Sequence, residues 1–212
     1  MPWQCVSVYL CKHTYHRACL HGLSALLTRA INRRDTRLAK LDAPNSPFSC
    51  ILLATAGLSR LDLGHRITQR LDPVVFPYAV GQGALGIEVL TDRQDMLRLV
   101  GGVDHKPSRW RALAERAMLR SLQGGCSSPI GVCCSFESQD TNDPGDGDGQ
   151  DKARDGGMLH LHATVLDVDG TMSIYAEDSG TVWSDDEAEK LGILVAEMLL
   201  HKGAHNLLSK QS

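Results

Sequence analysis

Residues 114–131, AERAMLRSLQGGCSSPIG, pass from a helical pattern through two glycines and a cysteine into the start of a strand. Ser108 is placed to cap a helix over residues 109–122, because a serine hydroxyl accepts a hydrogen bond from an N–H of the first turn. The glycine pair ends that helix. The apolar residues 129–136 (PIGVCCSF) then predict a strand. A helix joined to a strand by a short glycine turn gives this part of the chain an α+β character.

Two more strands are predicted after this one. Residues 159–168 alternate between apolar and polar side chains, Asp169 and Gly170 suit a hairpin turn, and residues 171–176 form the returning strand. Residues 138–157, which precede the hairpin, are rich in Asp, Gly and Asn. We expect a mobile loop there, because such a segment buries too little apolar surface to offset the entropy lost on ordering.

A final helix is predicted near the end of the sequence. Ser184 followed by Glu187 forms a capping box, and Gly203 ends the helix. Its apolar stripe contains Leu191, Leu194, Val195, Met198 and Leu199. The second half of the chain is therefore expected to be a small α+β domain, a three-stranded sheet with helices.

The first half alternates between helical and strand patterns. Residues 36–42 (TRLAKLD) and 92–99 are expected to be helical. Residues 50–55 (CILLAT) form a continuous apolar run, which predicts a strand buried on both faces, and a short helical stretch follows from Gly57 to Leu71. Residues 78–89 (YAVGQGALGIEV) predict a strand, a glycine-rich turn and a second strand.

Composition narrows the possible function classes. The 212 residues include 22 Lys and Arg against 25 Asp and Glu, a net charge of −3. A general nucleic-acid binder would be basic, so we expect no nucleic-acid partner. We also expect no membrane partner and a cytoplasmic location, because no apolar run approaches the about 20 residues of a bilayer span and no clean secretory signal is present. Seven irregularly spaced cysteines do not suggest a disulfide framework there.

The N-terminal residues contain the sharpest metal-like pattern. Cys11, His13, His16 and Cys19 have the spacing of the middle of a RING-type zinc module. In such a module these four residues serve two zinc ions, and each ion needs further cysteines that the sequence does not supply nearby. We therefore interpret the cluster as a coincidence and predict no metal site, with a zinc-binding N-terminal module as a weaker alternative. A short helix is possible over residues 20–31.

Residues 81–86 match the glycine spacing G-x-G-x-x-G of a dinucleotide site. That function requires a helix to begin at the glycines, so that its first amides meet the pyrophosphate. The following residues alternate like a strand instead. We interpret the motif as a hinge or tight strand connection, where glycine permits unusual backbone angles.

Cys126 stands after two glycines, between a helix and a strand. Such a turn is open, so a bulky group could reach the sulfur, and a thiolate there would be a competent nucleophile. From the residue alone, a structural cysteine is the commoner case.

Five segments together resemble the porphobilinogen deaminase (hydroxymethylbilane synthase) family, in the family's order and at close to its spacing. They are 36–42 (TRLAKLD), 51–61 (ILLATAGLSRL), 78–89 (YAVGQGALGIEV), 114–131 (AERAMLRSLQGGCSSPIG) and 191–208 (LGILVAEMLLHKGAHNLL). The resemblance covers roughly residues 34–212. The glycine-rich segment and the cysteine segment are highly specific in combination.

The resemblance implies a transferase of tetrapyrrole and haem biosynthesis. The family condenses four porphobilinogen molecules into linear hydroxymethylbilane with release of ammonia, on a dipyrromethane cofactor held by a thioether. Cys126 matches the attachment cysteine. Arg37 and Arg60 match arginines that contact the carboxylates of the pyrroles, and an arginine fork suits that task. The expected partners are porphobilinogen and pyrrole oligomers, bound by a monomer.

The resemblance also implies roles for three smaller residues and an arrangement of domains. Ala54 matches a position that lines the cofactor cleft, and Gln82 and Gly83 lie where the chain crosses between domains. The implied fold class is α/β and α+β, an incomplete periplasmic-binding-protein-like domain followed by the small C-terminal domain. The expected divisions are an N-terminal segment that does not match the family (1–33), the rest of the second domain (34–78), the crossing segment (79–107) and the cofactor-attachment domain (108–212).

Some of the family's pattern is not found in this sequence. Most of the first domain, with the catalytic aspartate, is expected to precede residue 34 and is not matched, and Ile31, Asn32 and Arg33 stand where the family has Arg-Gly-Asn. The catalytic residue is therefore unknown. Two hypotheses remain open, a hydroxymethylbilane synthase and a truncated non-catalytic remnant that acts as a binding or regulatory protein.

Overall fold

The computed structural model describes residues 7–11, 34–123, 128–138, 156–167 and 169–208, with the backbone alone for 7–11 and 34–36. Three sequence predictions lie outside the described residues: the helix at 20–31, the metal-like cluster beyond the backbone of Cys11, and residues 139–155 of the predicted loop. The chain divides into two compact units, Pro2–Phe76 and Pro77–Ser212.

The N-terminal unit contains a small antiparallel sheet. Strand β1 (Ser7–Cys11) lies between β2 (Cys50–Ala54) and β3 (Gln69–Arg70), with Ser7 opposite Ala54 and Cys11 opposite Cys50. Helix α1 (Arg34–Asp42) contains the segment predicted to be helical. The prediction that β2 is buried on both faces is wrong, since only Leu53 is buried and Ala54 is exposed. Burial on both faces belongs to parallel strands covered by helices on each side, and this strand is antiparallel.

The same unit is held by four buried leucines. Leu38 and Leu41 come from α1, Leu53 from β2, and Leu58 from the short helix α2 (Thr55–Ser59). The predicted helix does not continue to Leu71. Asp62 adopts a left-handed backbone with φ of 56°, and the Leu63 amide turns back to the Leu58 carbonyl at 2.9 Å. A single turn of 3-10 helix (Gly64–Arg66) and β3 follow instead.

The C-terminal unit contains a meander of three antiparallel strands, as the sequence predicts. The strands are β4 (Ile130–Ser138), β5 (Gly157–Leu166) and β6 (Ser173–Val182), in that order in the sheet. Every second residue of β5 is buried, as expected where one face packs on a core. β6 is longer than predicted because it pairs along the whole of β5, although residues 177–180 are mostly polar. Those polar residues lie on an edge strand, where exposure is tolerated.

Two long helices pack on one another and on the sheet of this unit. Helix α4 (Lys106–Ser121) begins two residues earlier than the predicted cap at Ser108, because Pro107 is accommodated in the first turn. The Ser108 hydroxyl instead lies 2.8 Å from Nδ1 of His105. Helix α5 (Asp185–His201) has the predicted cap, with Ser184 Oγ accepting from the Glu187 amide at 3.3 Å.

The buried face of α5 contains three residues of the predicted stripe, Leu191, Val195 and Leu199, and excludes the other two. Leu194 and Met198 are exposed, whereas Ala188, Gly192 and Ala196 are buried. Small residues spaced by four let two helices approach closely, so the contact face is not the most apolar one. The short helix α6 (Ala204–Leu208) follows Gly203, whose φ of 91° ends α5 as predicted.

The segment between Tyr78 and α4 is only partly regular. Tyr78 forms an isolated bridge with Val132, and helix α3 (Gln94–Gly101) covers most of the second helical prediction. The predicted strand after the glycines is wrong, since residues 84–90 have no regular structure. No helix in the parts of the chain that the structure describes has the length and apolarity to cross a bilayer.

Candidate functional site

The residues on either side of the predicted attachment cysteine are described. Residues 124–127, including Cys126, are outside the described residues. On one side, Gln123 has φ of 53° and its amide donates to the Arg120 carbonyl at 3.0 Å, which ends α4. On the other side, the Pro129 carbonyl accepts from the Leu166 amide at 3.0 Å, which fixes the chain to β5. The end of a helix thus precedes Cys126 and the start of a strand follows it, both within one unit, and the placement of Cys126 stays a prediction.

Arg37, Ala54 and Arg60 lie around the four-leucine cluster of the N-terminal unit. Arg37 precedes Leu38 on α1, Ala54 follows Leu53 at the end of β2, and Arg60 is the residue that caps the C-terminus of α2. The side chain of Arg37 is half-buried, and its Nε is shielded from solvent with no hydrogen-bond partner. Arg60 and Ala54 are exposed. Two arginines and a small exposed residue thus lie on the elements that build this cluster.

Gln82 and Gly83 form a double turn at the start of the C-terminal unit. The Gln82 amide donates to Ala79 at 3.0 Å and the Ala84 amide donates to Gly81 at 3.2 Å. Gly81 and Gly83 have φ of 70° and 83°, which explains the glycine at both positions. Both Gln82 and Gly83 are exposed. The glycines therefore serve a tight connection, and no helix begins there as a dinucleotide site would require.

A buried polar network, which the sequence did not predict, holds the start of this double turn. Glu115 on α4 is only 3% exposed, and its Oε2 accepts from the Gly81 amide at 2.7 Å. Its Oε1 lies 3.2 Å from the Tyr78 hydroxyl. That hydroxyl also accepts from the Cys134 amide at 2.7 Å and from Nη2 of Arg111 at 3.1 Å. One carboxylate thus ties the chain before Gln82 to the helix that leads to Cys126.

Burial dominates the electrostatics of this network. Loss of hydration raises the pKa of Glu115 above its ordinary value, although the Gly81 amide and Arg111 oppose the rise. Burial also raises the pKa of the Tyr78 hydroxyl and of the Cys134 thiol, so both stay protonated at neutral pH. Cys134 is accordingly a structural cysteine and an unreactive one.

One feature of the sequence indicates a buried polar group on α4. Glu115 lies on the same helical face as the buried Met118 and Leu122, at spacings of three and seven residues. A carboxylate on a buried face requires donors nearby. Its donors, Gly81 and Tyr78, come from distant positions that helical spacing cannot reveal.

Side chains that could bind a metal ion are not clustered in the described ranges. Among residues 34–123, 128–138, 156–167 and 169–208, no group of three His, Cys, Asp or Glu side chains is arranged to hold an ion. His162 Nδ1 and Glu177 Oε2 are 3.4 Å apart on the exposed face of the sheet, and they form a pair only.

Comparison with known proteins gives matches on both units. Residues 29–98 match the family model described as porphobilinogen deaminase, dipyromethane cofactor binding domain. Residues 110–201 match the model described as porphobilinogen deaminase, C-terminal domain. The first range contains Arg37, Ala54, Arg60, Gln82 and Gly83, and the second contains Cys126.

Curated relatives agree with the two domain matches. Over 175 residues, or 82% of this chain, it is 42% identical to the porphobilinogen deaminases of Debaryomyces hansenii and Schizosaccharomyces pombe, which it covers to 44% and 48%. It is 41% identical, over the same share of the chain, to the porphobilinogen deaminase of a Synechococcus species, covered to 48%. The chain spans about half the length of the curated relatives it matches, and it belongs to the porphobilinogen deaminase family.

Proposed function

We propose that this chain functions as a hydroxymethylbilane synthase, in which Cys126 carries a dipyrromethane cofactor. The reaction condenses four porphobilinogen molecules head to tail into linear hydroxymethylbilane and releases ammonia. The observation that carries the proposal is the match of residues 29–98 to a dipyromethane cofactor binding domain. Every residue predicted to hold the cofactor without a covalent bond falls within that range.

The described residues fit a ligand that carries carboxylates. Each pyrrole of a dipyrromethane bears an acetate and a propionate group, so the site needs fixed cations. Arg37 offers a shielded Nε that has no hydrogen-bond partner in the described structure, and a buried donor in that state gains most from an anionic acceptor. Arg60 offers an exposed guanidinium at the end of α2, on the same small core.

Some residues of the chain would bind the cofactor, and others would position the residues that bind it. Cys126 would provide the sulfur of the thioether, and the bound cofactor would supply the primer to which pyrroles are added. Arg37 and Arg60 would neutralise and orient carboxylates. The double turn at Gln82 and Gly83 would bring backbone close to the pyrroles, and the carboxylate of Glu115 would fix where that turn begins.

The proposal includes the type of the N-terminal domain, the domain divisions, the location of the protein and its partners. Residues 34–78 would be what remains of a periplasmic-binding-protein-like domain, supported by the helices α1 and α2 within them. Residues 34–78, 79–107 and 108–212 would serve as that remainder, the crossing segment and the attachment domain. The protein would act as a cytoplasmic monomer on porphobilinogen and pyrrole oligomers, without nucleic acid or membrane, which its net charge of −3 favours.

Turnover of porphobilinogen tests the proposed function. Purified chain incubated with porphobilinogen should form bilane or uroporphyrin. Arg37→Gln and Arg60→Gln should each reduce the rate by about ten-fold or more, since a charge-assisted hydrogen bond contributes about 1.5–3 kcal/mol. Arg116→Gln, an exposed arginine on α4, is the matched control and should leave the rate unchanged.

Two results would contradict the proposed function. If a folded chain forms no product at any concentration, or if all three arginine variants behave alike, the proposal is wrong. The chain would then fit the non-catalytic hypothesis.

A further inference from the structure

Helix α5 is apolar on more than one side. Residues 191–196 (LGILVA) contain no polar side chain, a pattern typical of a helix that is covered all round. One side of α5 is covered by the rest of its unit, through the buried residues Ala188, Leu191, Gly192, Val195, Ala196 and Leu199. The other side bears Ile193, Leu194 and Met198, which are 39%, 48% and 38% exposed. The middle of the helix is therefore suited to a second contact.

These three side chains belong to one exposed stripe that runs the length of α5. Its other members lie toward the two ends of the helix and are charged or titratable: Asp186, Lys190, Glu197 and His201. Positions 186, 190, 193, 197 and 201 are three or four residues apart, which is the spacing of one helical face. We call these residues the outer stripe of α5. Helix α4, which packs against α5, exposes no large hydrophobic residue over its described length, so the outer stripe differs from its neighbour.

The charges of the outer stripe are arranged to complement a second copy of it. Two members precede the apolar centre and two follow it, in the order anion, cation, anion and histidine. If a second α5 lies antiparallel, with the apolar centres in contact, Lys190 of each copy faces Glu197 of the other. Asp186 faces His201 in the same register. A parallel pair would instead place identical residues opposite one another, and like charges repel.

The two central charges are not used within the single copy. Among the described residues, Lys190 and Glu197 form no ion pair. Glu189, the chain neighbour of Lys190, is in contrast paired with Arg120 of α4 at 3.1 Å. The charges that an antiparallel pair of helices would use are thus the ones left available on this surface.

We propose that the outer stripe of α5 is a docking surface for the same stripe of a second copy of this chain, joined antiparallel about a two-fold axis. Ile193, Leu194 and Met198 would be removed from water, and the pair of Lys190 with Glu197 would form twice. One helix from each copy makes a small interface, so we expect a reversible dimer with a Kd of about 10–100 μM.

The dimer goes beyond the proposed function and does not depend on it. None of the residues predicted to hold the cofactor lies on α5, which spans Asp185–His201. The single copy therefore stays the acting unit of the proposed function, and pairing sets in as the concentration rises. Turnover of porphobilinogen is a separate measurement, so failure of the one proposal is distinguishable from failure of the other.

Sedimentation equilibrium of the full chain tests the docking surface. Measured from about 1 μM to 1 mM, with a reducing agent that excludes disulfides between copies, the mass should rise from that of one copy to that of two. Leu194→Glu combined with Met198→Glu should remain a monomer throughout. Both side chains are exposed, so the variant should stay folded, which circular dichroism checks. Met172→Glu changes an exposed apolar side chain between β5 and β6, and this control should form dimers like the parent chain.

Charge reversal tests the antiparallel register without changing the apolar centre. Lys190→Glu alone, or Glu197→Lys alone, places like charges opposite each other twice, so each should weaken the dimer by about ten-fold. The two changes together restore both pairs, and the Kd should return to within about three-fold of the parent value.

Three results would overturn the proposal. The first is a chain that stays monomeric up to about 1 mM, in which case a different polypeptide is the partner of the stripe. The second is a dimer that survives the combined change of Leu194 and Met198 to glutamate. The third is a double charge reversal that binds as weakly as either single reversal, since the copies then do not pair antiparallel in this register.

Discussion

Glu115 illustrates how one residue can set the geometry of a connection. It is the one carboxylate among the buried residues of the described structure, and each of its two oxygens has a separate partner. The Tyr78 hydroxyl already accepts from the Cys134 amide and from Arg111, so its own proton is left to donate toward Glu115 or the Cys134 carbonyl. The network has no place for an additional donor.

Glu115→Gln therefore should destabilise the C-terminal unit by about 1–3 kcal/mol. The amide group of glutamine would face either the Gly81 amide or the Tyr78 hydroxyl, and both positions require an acceptor. Urea unfolding of the variant and the parent chain measures the difference. Glu197→Gln, an exposed residue on α5, is the control and should change the stability little.

The same variant should change the pH dependence of stability. Because burial raises the folded pKa of Glu115 above 4.5, the folded state holds this proton at pH values where the unfolded state has lost it. Stability of the parent chain relative to Glu115→Gln should thus decline as the pH rises from about 4.5 through the folded pKa, and then level off. A difference that grows with pH would contradict the assignment of a desolvated carboxylate.

At the scale of elements, the α4–α5 contact depends on one glycine. A Cβ at Gly192 would collide with the backbone carbonyl of Ala114, and it would lie 3.0 Å from the Met118 amide. Alanine is the better helix former by about 1 kcal/mol, but backbone atoms of a packed helix cannot move aside cheaply.

Gly192→Ala should consequently destabilise the chain by about 1–3 kcal/mol, because the overlap outweighs the gain in helix propensity. Gly101→Ala is the matched control, since it lies in a helix with nothing within 4 Å of its added Cβ. Thermal unfolding should show a lower midpoint for the first variant and an equal or higher one for the second. Equal behaviour of the two would show that α4 and α5 are not in close contact.

The start of α5 offers a second test at this scale. Ser184→Ala removes the acceptor for the Glu187 amide and should cost about 0.5–2 kcal/mol. Glu187 keeps its bond from the Trp183 amide at 2.7 Å, so the loss should stop short of unfolding the helix. Denaturant unfolding measures the loss, and Ser179→Ala on the exposed part of β6 should show none.

These elements also show where sequence patterns succeed. The alternation of β5, the hairpin at Gly170 and the cap at Ser184 are local features, and each is predictable from residues close together in the chain. The stripe predicted on α5 was correct for three of its five residues and wrong for Leu194 and Met198, because the contact also uses small residues, which hydrophobicity does not distinguish. The strand predicted at 84–90 failed for a different reason, since a strand requires a partner and the described residues supply none.

At the scale of the whole molecule, the residues predicted to hold the cofactor are distributed over both units. Arg37 and Arg60 lie in Pro2–Phe76, and Cys126 lies in Pro77–Ser212. The resemblance to the family identified these residues. From its own position in the sequence, Cys126 would have been interpreted as a structural cysteine. Non-local pairing, such as Glu115 with Gly81, could not be predicted from the chain alone.

The proposed function depends most on Cys126 as the point of attachment. The mass of the intact chain, purified from a host that makes haem, tests this directly. We expect a mass increase equal to one dipyrromethane, which disappears in Cys126→Ala and remains in Cys133→Ala. A folded chain with an unmodified mass, or an increase that survives Cys126→Ala, would contradict it.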